Sequence, residues 1–312
     1  MKKLFIFFLI IIELSVVLYL ILRIYKNNKI SGKASVNPID KNNISFDGKN
    51  KPKYFYEPKP NSIDKVNEWS PYQGVNTINS DSLNERFDYS VEKPEKTYRI
   101  ITLGDSFTYG LYVDTKDNWT ERLEDLLNNQ LNCQNFNKFE VINLAVHGYD
   151  IQYNVERFKK RGQKYKPDLV VLFIVDPFRI TDKIASLSSK IVDELRKNNN
   201  LEKINSYYPW RTAWQQIVKE FGVDGILNFQ QSRLLEFNKL YQGPLFFVYG
   251  DWIEKSYQEA FEKYHKKNWS LTISIPPENH FPSDSHPNQK GHQKIAEDVF
   301  DYLTKNKIIP CN

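Results

Sequence analysis

Short apolar runs alternate with amphipathic stretches from residue 96 to the C-terminus. The apolar runs predict five strands, at 98–103, 139–146, 168–175, 244–248 and 271–275. The amphipathic stretches predict helices at 119–131, 151–161, 181–197, 212–221, 225–241, 253–266 and 289–305. Strands separated by helices favour a parallel sheet covered on both faces. Residues 96–312 are therefore predicted to form a three-layer α/β/α domain with a doubly wound, five-stranded parallel sheet.

The N-terminal pattern is different, because Leu4 to Leu22 contains one charged residue, Glu13. As a helix these 19 residues match a hydrocarbon layer of roughly 30 Å. Sixteen of them are Leu, Ile, Val or Phe, whose insertion free energy outweighs the cost of Glu13. No small-residue cleavage pattern comes after this segment, which argues against a secretory signal. Residues 1–33 are expected to form a single-pass transmembrane helix with basic flanks.

Residues 34–95 are rich in Pro, Asn and Lys and show little periodicity. This composition indicates an extended lead rather than a domain with its own core. Part of it is expected to pack on the domain at 96–312, because it contains five aromatic residues: Tyr54, Phe55, Tyr56, Trp69 and Tyr72. The sequence leaves open whether this lead closes over a pocket or spaces the domain from the bilayer.

Composition and charge exclude several classes of protein. The chain is 40% hydrophobic and 26% charged, which excludes a disordered or collagen-like protein. The formal charge of +5 lies entirely within residues 1–33, so the rest is neutral and no nucleic-acid partner is expected. Cys133 and Cys311 are too few for a disulfide framework or a cysteine zinc site, and their pairing stays open.

One polar segment comes directly after the first predicted strand, and another lies between the last predicted strand and the last predicted helix. The first contains Gly104-Asp105-Ser106, and the second contains Asp284-Ser285-His286. Either segment alone is typical of a polar loop. Together they lie at the carboxyl edge of the sheet, where sites form. Asp284 can orient the His286 ring from two residues away while the other ring nitrogen faces Ser106, which predicts a nucleophile, a base and an orienting acid.

With these segments the chain resembles the SGNH, or GDSL-type, hydrolases, whose domain is a flavodoxin-like α/β/α sandwich. The similarity covers about residues 85–305 and lies in four blocks, at 104–110, 141–149, 166–172 and 284–292. The resemblance implies that Ser106 is the nucleophile and that His286 and Asp284 complete a triad. It also implies an oxyanion hole formed by the backbone N–H groups of Ser106 and Gly148.

Two positions depart from the pattern of this family. Many members place the acid three residues before the histidine, where this chain has Ser283. The family also has an Asn after the third strand, and this chain has Asp176, whose carboxylate cannot donate a hydrogen bond. Losing one oxyanion donor costs about 10²–10³ in rate. Either Asp176 is protonated and belongs to the oxyanion hole, another donor substitutes, or activity is weak; an equal alternative is that Asp176 caps the next segment.

Together with the predicted membrane segment, the resemblance implies a membrane-anchored prokaryotic serine esterase without a cofactor. It would remove an O-acyl group, with acetyl as the expected case, from a carbohydrate or lipid-linked envelope substrate. The alternatives are an O-acyltransferase that uses the same serine and a catalytically silent binding domain, which the missing Asn favours. No metal site is expected, because His292 and His286 lack a third ligand at recognisable spacing.

Two signals conflict on the orientation in the membrane. Four basic residues follow the apolar segment and two precede it, which by the positive-inside rule would keep the body of the chain cytoplasmic. The tether and the envelope substrates implied by the resemblance favour an extracytoplasmic domain. We expect the second placement, while protein partners and oligomeric state are not indicated.

Overall fold

The computed structural model describes residues 52–65 and 70–311. Within these ranges no helix combines the length and the apolar character that a bilayer crossing requires. The predicted anchor over residues 1–33 lies outside the described residues, as do residues 34–51 and 66–69 of the predicted lead, including Trp69.

Five parallel strands form the central sheet, as the alternating pattern predicts. They are β3 (Thr97–Leu103), β4 (Lys138–Asn143), β5 (Leu169–Ile174), β6 (Leu245–Gly250) and β7 (Asn268–Ile273). A separate two-stranded hairpin in the lead, β1 (Ser62–Lys65) and β2 (Val75–Ile78), precedes them in the chain. The order across the sheet is β4-β3-β5-β6-β7. In β3, Ile101 pairs with Ile142 of β4 on one side and with Val170 of β5 on the other.

Eight α-helices connect and cover these strands. They are α1 (Ser106–Tyr109), α2 (Trp119–Gln130), α3 (Ile151–Arg157), α4 (Thr181–Lys197), α5 (Leu201–Ile204), α6 (Tyr208–Leu240), α7 (Lys255–Glu262) and α8 (Gln289–Lys305) in the described part of the chain. The helices predicted at 212–221 and 225–241 are joined into α6, which is interrupted at Gly222 by a φ of 66°. The predicted strand 139–146 ends at Asn143, and the Leu144 N–H makes one further hydrogen bond to the Thr102 carbonyl oxygen of β3 at 2.9 Å.

Strands β3 to β6 are almost entirely buried, which explains why they read as apolar runs, whereas the edge strand β7 is mostly half-buried. Successive residues of β3 point in opposite directions, so Ile100 packs with α2 and α8 while Ile101 packs with α3 and α6. Trp119 and Leu123 of α2 lie in the first cluster, and Leu234 of α6 lies in the second. The domain is therefore the predicted three-layer α/β/α arrangement.

The described part of the lead packs against this domain through ion pairs. Glu57 contacts both Arg157 and Arg161 at the end of α3 and in the turn that follows it. Asp81 contacts Arg161 at 3.0 Å and Lys164 at 2.7 Å. The basic run that follows α3 thus serves to attach the lead.

A disulfide joins Cys133, in the loop after α2, to Cys311 near the end of the chain. The two Cα atoms are 4.5 Å apart although the residues are 178 positions apart in sequence. The pairing that the sequence left open is therefore made in the fold, and it holds the C-terminal residues beside the start of β4.

Three carboxyl groups are buried together between the lead and α2. Glu124 accepts hydrogen bonds from the Val141 backbone N–H at 2.7 Å and from the Tyr89 hydroxyl at 2.9 Å. Burial raises the pKa of Glu124 to about 7. Burial and the neighbouring Glu121 carboxylate raise the pKa of Glu85 in the same way. Glu85 and Glu124 therefore hold their protons more tightly than free carboxyl groups do, while the Arg86 side chain pairs with Glu121.

The raised pKa of Glu124 predicts that stability falls as the pH rises. Between about pH 4.5 and pH 7 the unfolded chain releases this proton while the folded chain retains it, so unfolding is favoured. Glu124→Gln cannot titrate, and its free energy of unfolding relative to wild type should improve by about 2 kcal/mol between pH 5 and pH 7.5. Urea unfolding at a series of pH values measures this. The exposed Glu92→Gln is the control, and parallel curves for wild type and Glu124→Gln would contradict the prediction.

Candidate active site

Ser106 is the first residue of the short helix α1, directly after β3. The Asp105 side chain caps this helix by accepting a hydrogen bond from the Phe107 N–H at 3.1 Å. Gly110 ends the helix with a φ of 85°, a conformation that glycine adopts without strain. A strand, a cap and a one-turn helix thus fix the backbone that carries the Ser106 hydroxyl.

Three asparagine amides satisfy the carbonyl groups at the end of α1. A helix of one turn leaves its last carbonyls without partners of its own. Asn118 and Asn143 both donate to the Thr108 carbonyl oxygen at 2.9 Å. Asn84, from the lead, donates to the Tyr109 carbonyl oxygen at 2.7 Å. These side chains hold the serine loop from three directions, and none of them was predicted from the sequence.

The structure brings Ser106, His286 and Asp284 together. His286 Nε2 is 2.8 Å from Ser106 Oγ, and His286 Nδ1 is 2.5 Å from Asp284 Oδ1. The same carboxylate oxygen accepts the His286 backbone N–H at 2.8 Å. The hydrogen bond from His286 lowers the pKa of Asp284, which keeps this group ionised. In this arrangement the serine proton can pass to the imidazole while the carboxylate stabilises the resulting charge.

A turn at Ser283 accounts for the unusual spacing between acid and histidine. Ser283 has a φ of 62°, and after it the Asp284 N–H donates to the Phe281 carbonyl oxygen at 3.1 Å. His280 closes the same loop, because its ring nitrogens lie 2.7 Å from the Ser285 carbonyl oxygen and 3.0 Å from that of Ile275. The acid is therefore delivered from the position two residues before the histidine.

Aromatic rings surround the His286 imidazole. The Phe107 ring centroid is 5.3 Å away in a tilted arrangement, and the Tyr112 ring is 5.4 Å away edge-on. Tyr72, from the lead, packs on Phe281 at 4.6 Å and hydrogen bonds to the Pro282 carbonyl. These contacts restrict the imidazole to the orientation that faces Ser106.

The loop after β4 carries Gly148, the predicted backbone donor. Gly148 has a φ of 78°, and a side chain there would collide with the Tyr56 hydroxyl. That hydroxyl donates to the His147 carbonyl oxygen at 2.5 Å. Thr181 Oγ1 donates to the Gly148 carbonyl oxygen at 2.8 Å. A residue of the lead and the first residue of α4 thus hold this loop between them.

Asp176 both caps a turn and forms an ion pair. Its Oδ1 atom accepts the Phe178 N–H at 2.9 Å, and its Oδ2 atom is 3.2 Å from Arg179 Nη2. Both carboxylate oxygens therefore accept hydrogen bonds or face a cation. The geometry supports the capping interpretation of Asp176 and offers no donor at this position.

His292, the other histidine considered for a metal, is enclosed in the core. Its Nδ1 atom accepts the Trp119 N–H at 3.2 Å, and burial lowers the pKa of His292 to about 3. Across residues 52–65 and 70–311 no cluster of three or more His, Cys, Asp or Glu side chains is arranged to hold a metal ion. His292 contributes instead to the packing of α8 against the start of α2.

Comparison with known proteins identifies relatives of this chain. The family model described as GDSL-like Lipase/Acylhydrolase matches residues 100–299, more than half of the sequence. No curated protein matches the sequence.

Three solved structures match part of this chain. An acetyl xylan esterase, Est2A, from the rumen bacterium Butyrivibrio proteoclasticus is 15% identical; the match covers 70% of this chain and 66% of that one, with a TM-score of 0.41. A catalytic mutant of Axe2, an acetylxylan esterase from Geobacillus stearothermophilus, is 14% identical, with coverage of 69% and 96% and a TM-score of 0.39. TesA is 15% identical, with coverage of 66% and 98% and a TM-score of 0.38.

Proposed function

The chain belongs to the GDSL-like lipase/acylhydrolase family and is an ester-hydrolysing enzyme, and we propose that Ser106, His286 and Asp284 are its catalytic triad. The observation that carries this proposal is the continuous set of hydrogen bonds from Asp284 through His286 to Ser106 Oγ. Hydroxyl, imidazole and carboxylate occur in the order and at the distances that nucleophilic catalysis needs.

The reaction proceeds in two halves. Ser106 Oγ bonds to the ester carbonyl carbon as its proton passes to His286 Nε2, and the carbonyl electron pair becomes an oxyanion. The backbone N–H groups of Ser106 and Gly148 donate to that oxyanion. The electron pair on the oxyanion then re-forms the carbonyl bond. The bond between the carbonyl carbon and the alcohol oxygen breaks, and the alcohol takes the proton from His286. In the second half, water attacks the acyl-enzyme as His286 takes its proton. The carboxylic acid leaves, and Ser106 Oγ regains the proton from His286.

A reactive probe tests the role of Ser106. A fluorophosphonate should label wild type on Ser106 and should not label Ser106→Ala. Asp284→Asn should label roughly 10³–10⁴-fold more slowly, because the imidazole loses the carboxylate that sets its tautomer and stabilises its charge. Mass spectrometry of the labelled peptide gives the site. Labelling of Ser106→Ala at the wild-type rate, or a wild type that the probe never labels, would overturn the triad.

We propose that the alcohol part of the substrate is a carbohydrate, and Trp252 supports this class. The indole is 46% exposed, and its Nε1–H donates to the Val175 carbonyl oxygen at 2.9 Å. Its ring packs over Gly250, where any side chain would collide with it. Phe107 lies 5.9 Å away and links Trp252 to the His286 ring. A fixed, exposed aromatic face beside the nucleophile provides an apolar platform for a sugar ring.

Substrates of two sizes test this platform. Trp252→Ala should raise KM for an acetylated oligosaccharide about tenfold and should leave KM for p-nitrophenyl acetate within twofold, because only the larger alcohol reaches the indole. Trp252→Phe should retain most of the affinity. Phe87→Ala, which removes an exposed aromatic residue from the lead, is the control. An equal change for both substrates, or no change for either, would contradict the carbohydrate proposal.

We further propose that the domain lies outside the cytoplasm, with residues 1–33 as its membrane anchor. The Cys133–Cys311 disulfide supports this placement, because disulfides persist in oxidising compartments and are rare in the cytoplasm. In spheroplasts, an added protease should reach the domain, and both cysteines should react with maleimide only after reduction. Full protection from protease together with free thiols in unreduced cells would place the domain in the cytoplasm.

A further inference from the structure

A guanidinium group lies beside the nucleophile at a position that no sequence motif marks. Arg179 follows β5, and its Nη1 atom is 3.3 Å from Asp105 Oδ2 and 3.4 Å from the Tyr149 carbonyl oxygen. Its Nη2 atom is 3.2 Å from Asp176 Oδ2. Asp105 directly precedes Ser106, and Tyr149 directly follows the predicted backbone donor. One side chain therefore joins the three loops that follow β3, β4 and β5.

The backbone around Arg179 is anchored to the same loops. The Gln230 side chain of α6 donates to the Arg179 carbonyl oxygen. Two residues further on, Thr181 donates its N–H to Asp150 Oδ2 at 2.8 Å and its hydroxyl to the Gly148 carbonyl oxygen. The Arg179 side chain remains 17% exposed. The guanidinium is thus fixed between the loops that carry Ser106 and Gly148, and its side chain is not completely enclosed.

The charge of Arg179 compensates two carboxylates next to the reacting atoms. Asp105 and Asp176 would both repel a negative charge that forms at Ser106. Burial disfavours the charged form of Arg179, but the Asp176 and Asp105 carboxylates outweigh burial and raise its pKa. Burial raises the pKa of Asp105, and the Arg179 charge opposes that increase. The guanidinium is consequently charged at every pH at which a histidine base operates.

A guanidinium carries five N–H donors, and the contacts within residues 52–65 and 70–311 engage three of them. Hydrogen bonds from a cation to an anion are about twice as strong as those between neutral groups. We propose that Arg179 is a catalytic residue that donates to the oxyanion, alongside the backbone N–H groups of Ser106 and Gly148. This inference rests on the proposed function.

Arg179 acts while the oxyanion exists. When Ser106 Oγ bonds to the carbonyl carbon, the electron pair of the C=O bond moves to oxygen and the serine proton moves to His286. An N–H of Arg179 then donates to the new oxyanion. When the electron pair re-forms the carbonyl bond and the alcohol leaves, Arg179 has donated a hydrogen bond and has transferred no proton. An interaction that is strongest with the oxyanion affects kcat more than KM.

The first test removes the cation. Arg179→Gln should lower kcat for p-nitrophenyl acetate by about 10²-fold or more with KM within about threefold, because one donor and one charge are lost. The rate of fluorophosphonate labelling should fall in parallel, because the phosphonyl oxygen also becomes negative. Arg122→Gln is the matched control: its guanidinium also pairs with a carboxylate, that of Asp117, and kcat should stay within twofold.

The second test separates catalysis from a merely structural role of the ion pairs. Asp176→Asn removes a negative charge and supplies an amide donor at the end of β5. In the Arg179→Gln background it should raise kcat at least tenfold above that of Arg179→Gln alone, even though no arginine is restored. If Arg179 only held the three loops together, the double variant would gain nothing, and its thermal midpoint would fall with its activity.

The outcomes also distinguish this inference from the triad. A wild type that is labelled on Ser106, together with an Arg179→Gln variant labelled at the same rate, would overturn the role of Arg179 alone. A double variant no more active than Arg179→Gln would overturn it as well. A wild type that the probe never labels would overturn the proposed function itself.

Discussion

The hydrogen bond of 2.8 Å between Ser106 Oγ and His286 Nε2 joins residues that lie 180 positions apart in the chain. It forms because β3 and β7 run in the same direction, so the loops that follow them emerge at the same edge of the sheet. The buried strands of the sheet hold that edge rigid, and α1 and the loop that follows β7 need only supply short, well-anchored segments. The proposed triad depends on this contact.

The lead is part of the site as well as a connection to it. Asn84 holds the end of the serine helix, Tyr56 holds the loop that carries Gly148, and Tyr72 packs on the loop that carries His286. Glu57 and Asp81 fasten this segment to the basic residues at the end of α3. The segment that the sequence indicates to be an extended lead thus supplies three of the contacts that hold the loops around Ser106.

The sheet and the positions of Ser106, His286 and Asp284 could be predicted from the sequence, because both depend on local signals. Apolar runs reveal buried strands, and parallel strands bring their following loops to one edge. Other features depend on contacts between distant residues. The β1–β2 hairpin and the Cys133–Cys311 pair need the folded domain to bring their parts together, and no local pattern marks them.

The proposed oxyanion hole also combines a position that the sequence could indicate with one that it could not. The sequence placed a carboxylate where a donor is needed, and it left open whether Asp176 caps a turn or enters the site. The fold shows Asp176 capping the turn at Phe178 and paired with Arg179. The contacts of Arg179 could not be predicted from the sequence. Arg179 lies three residues after Asp176, and only the fold places its long side chain between Asp105 and Asp176. Tertiary packing decides which partners a long side chain such as that of Arg179 contacts.

The acyl-enzyme on Ser106 is the most direct test of this account. Rapid mixing of the enzyme with p-nitrophenyl acetate should release one equivalent of p-nitrophenol per active chain in an initial burst. Mass spectrometry of the quenched protein should find one acetyl group, on the peptide that contains Ser106. Steady hydrolysis by a protein whose Ser106 stays unmodified, without a burst and with no acylated peptide under any quench condition, would contradict it.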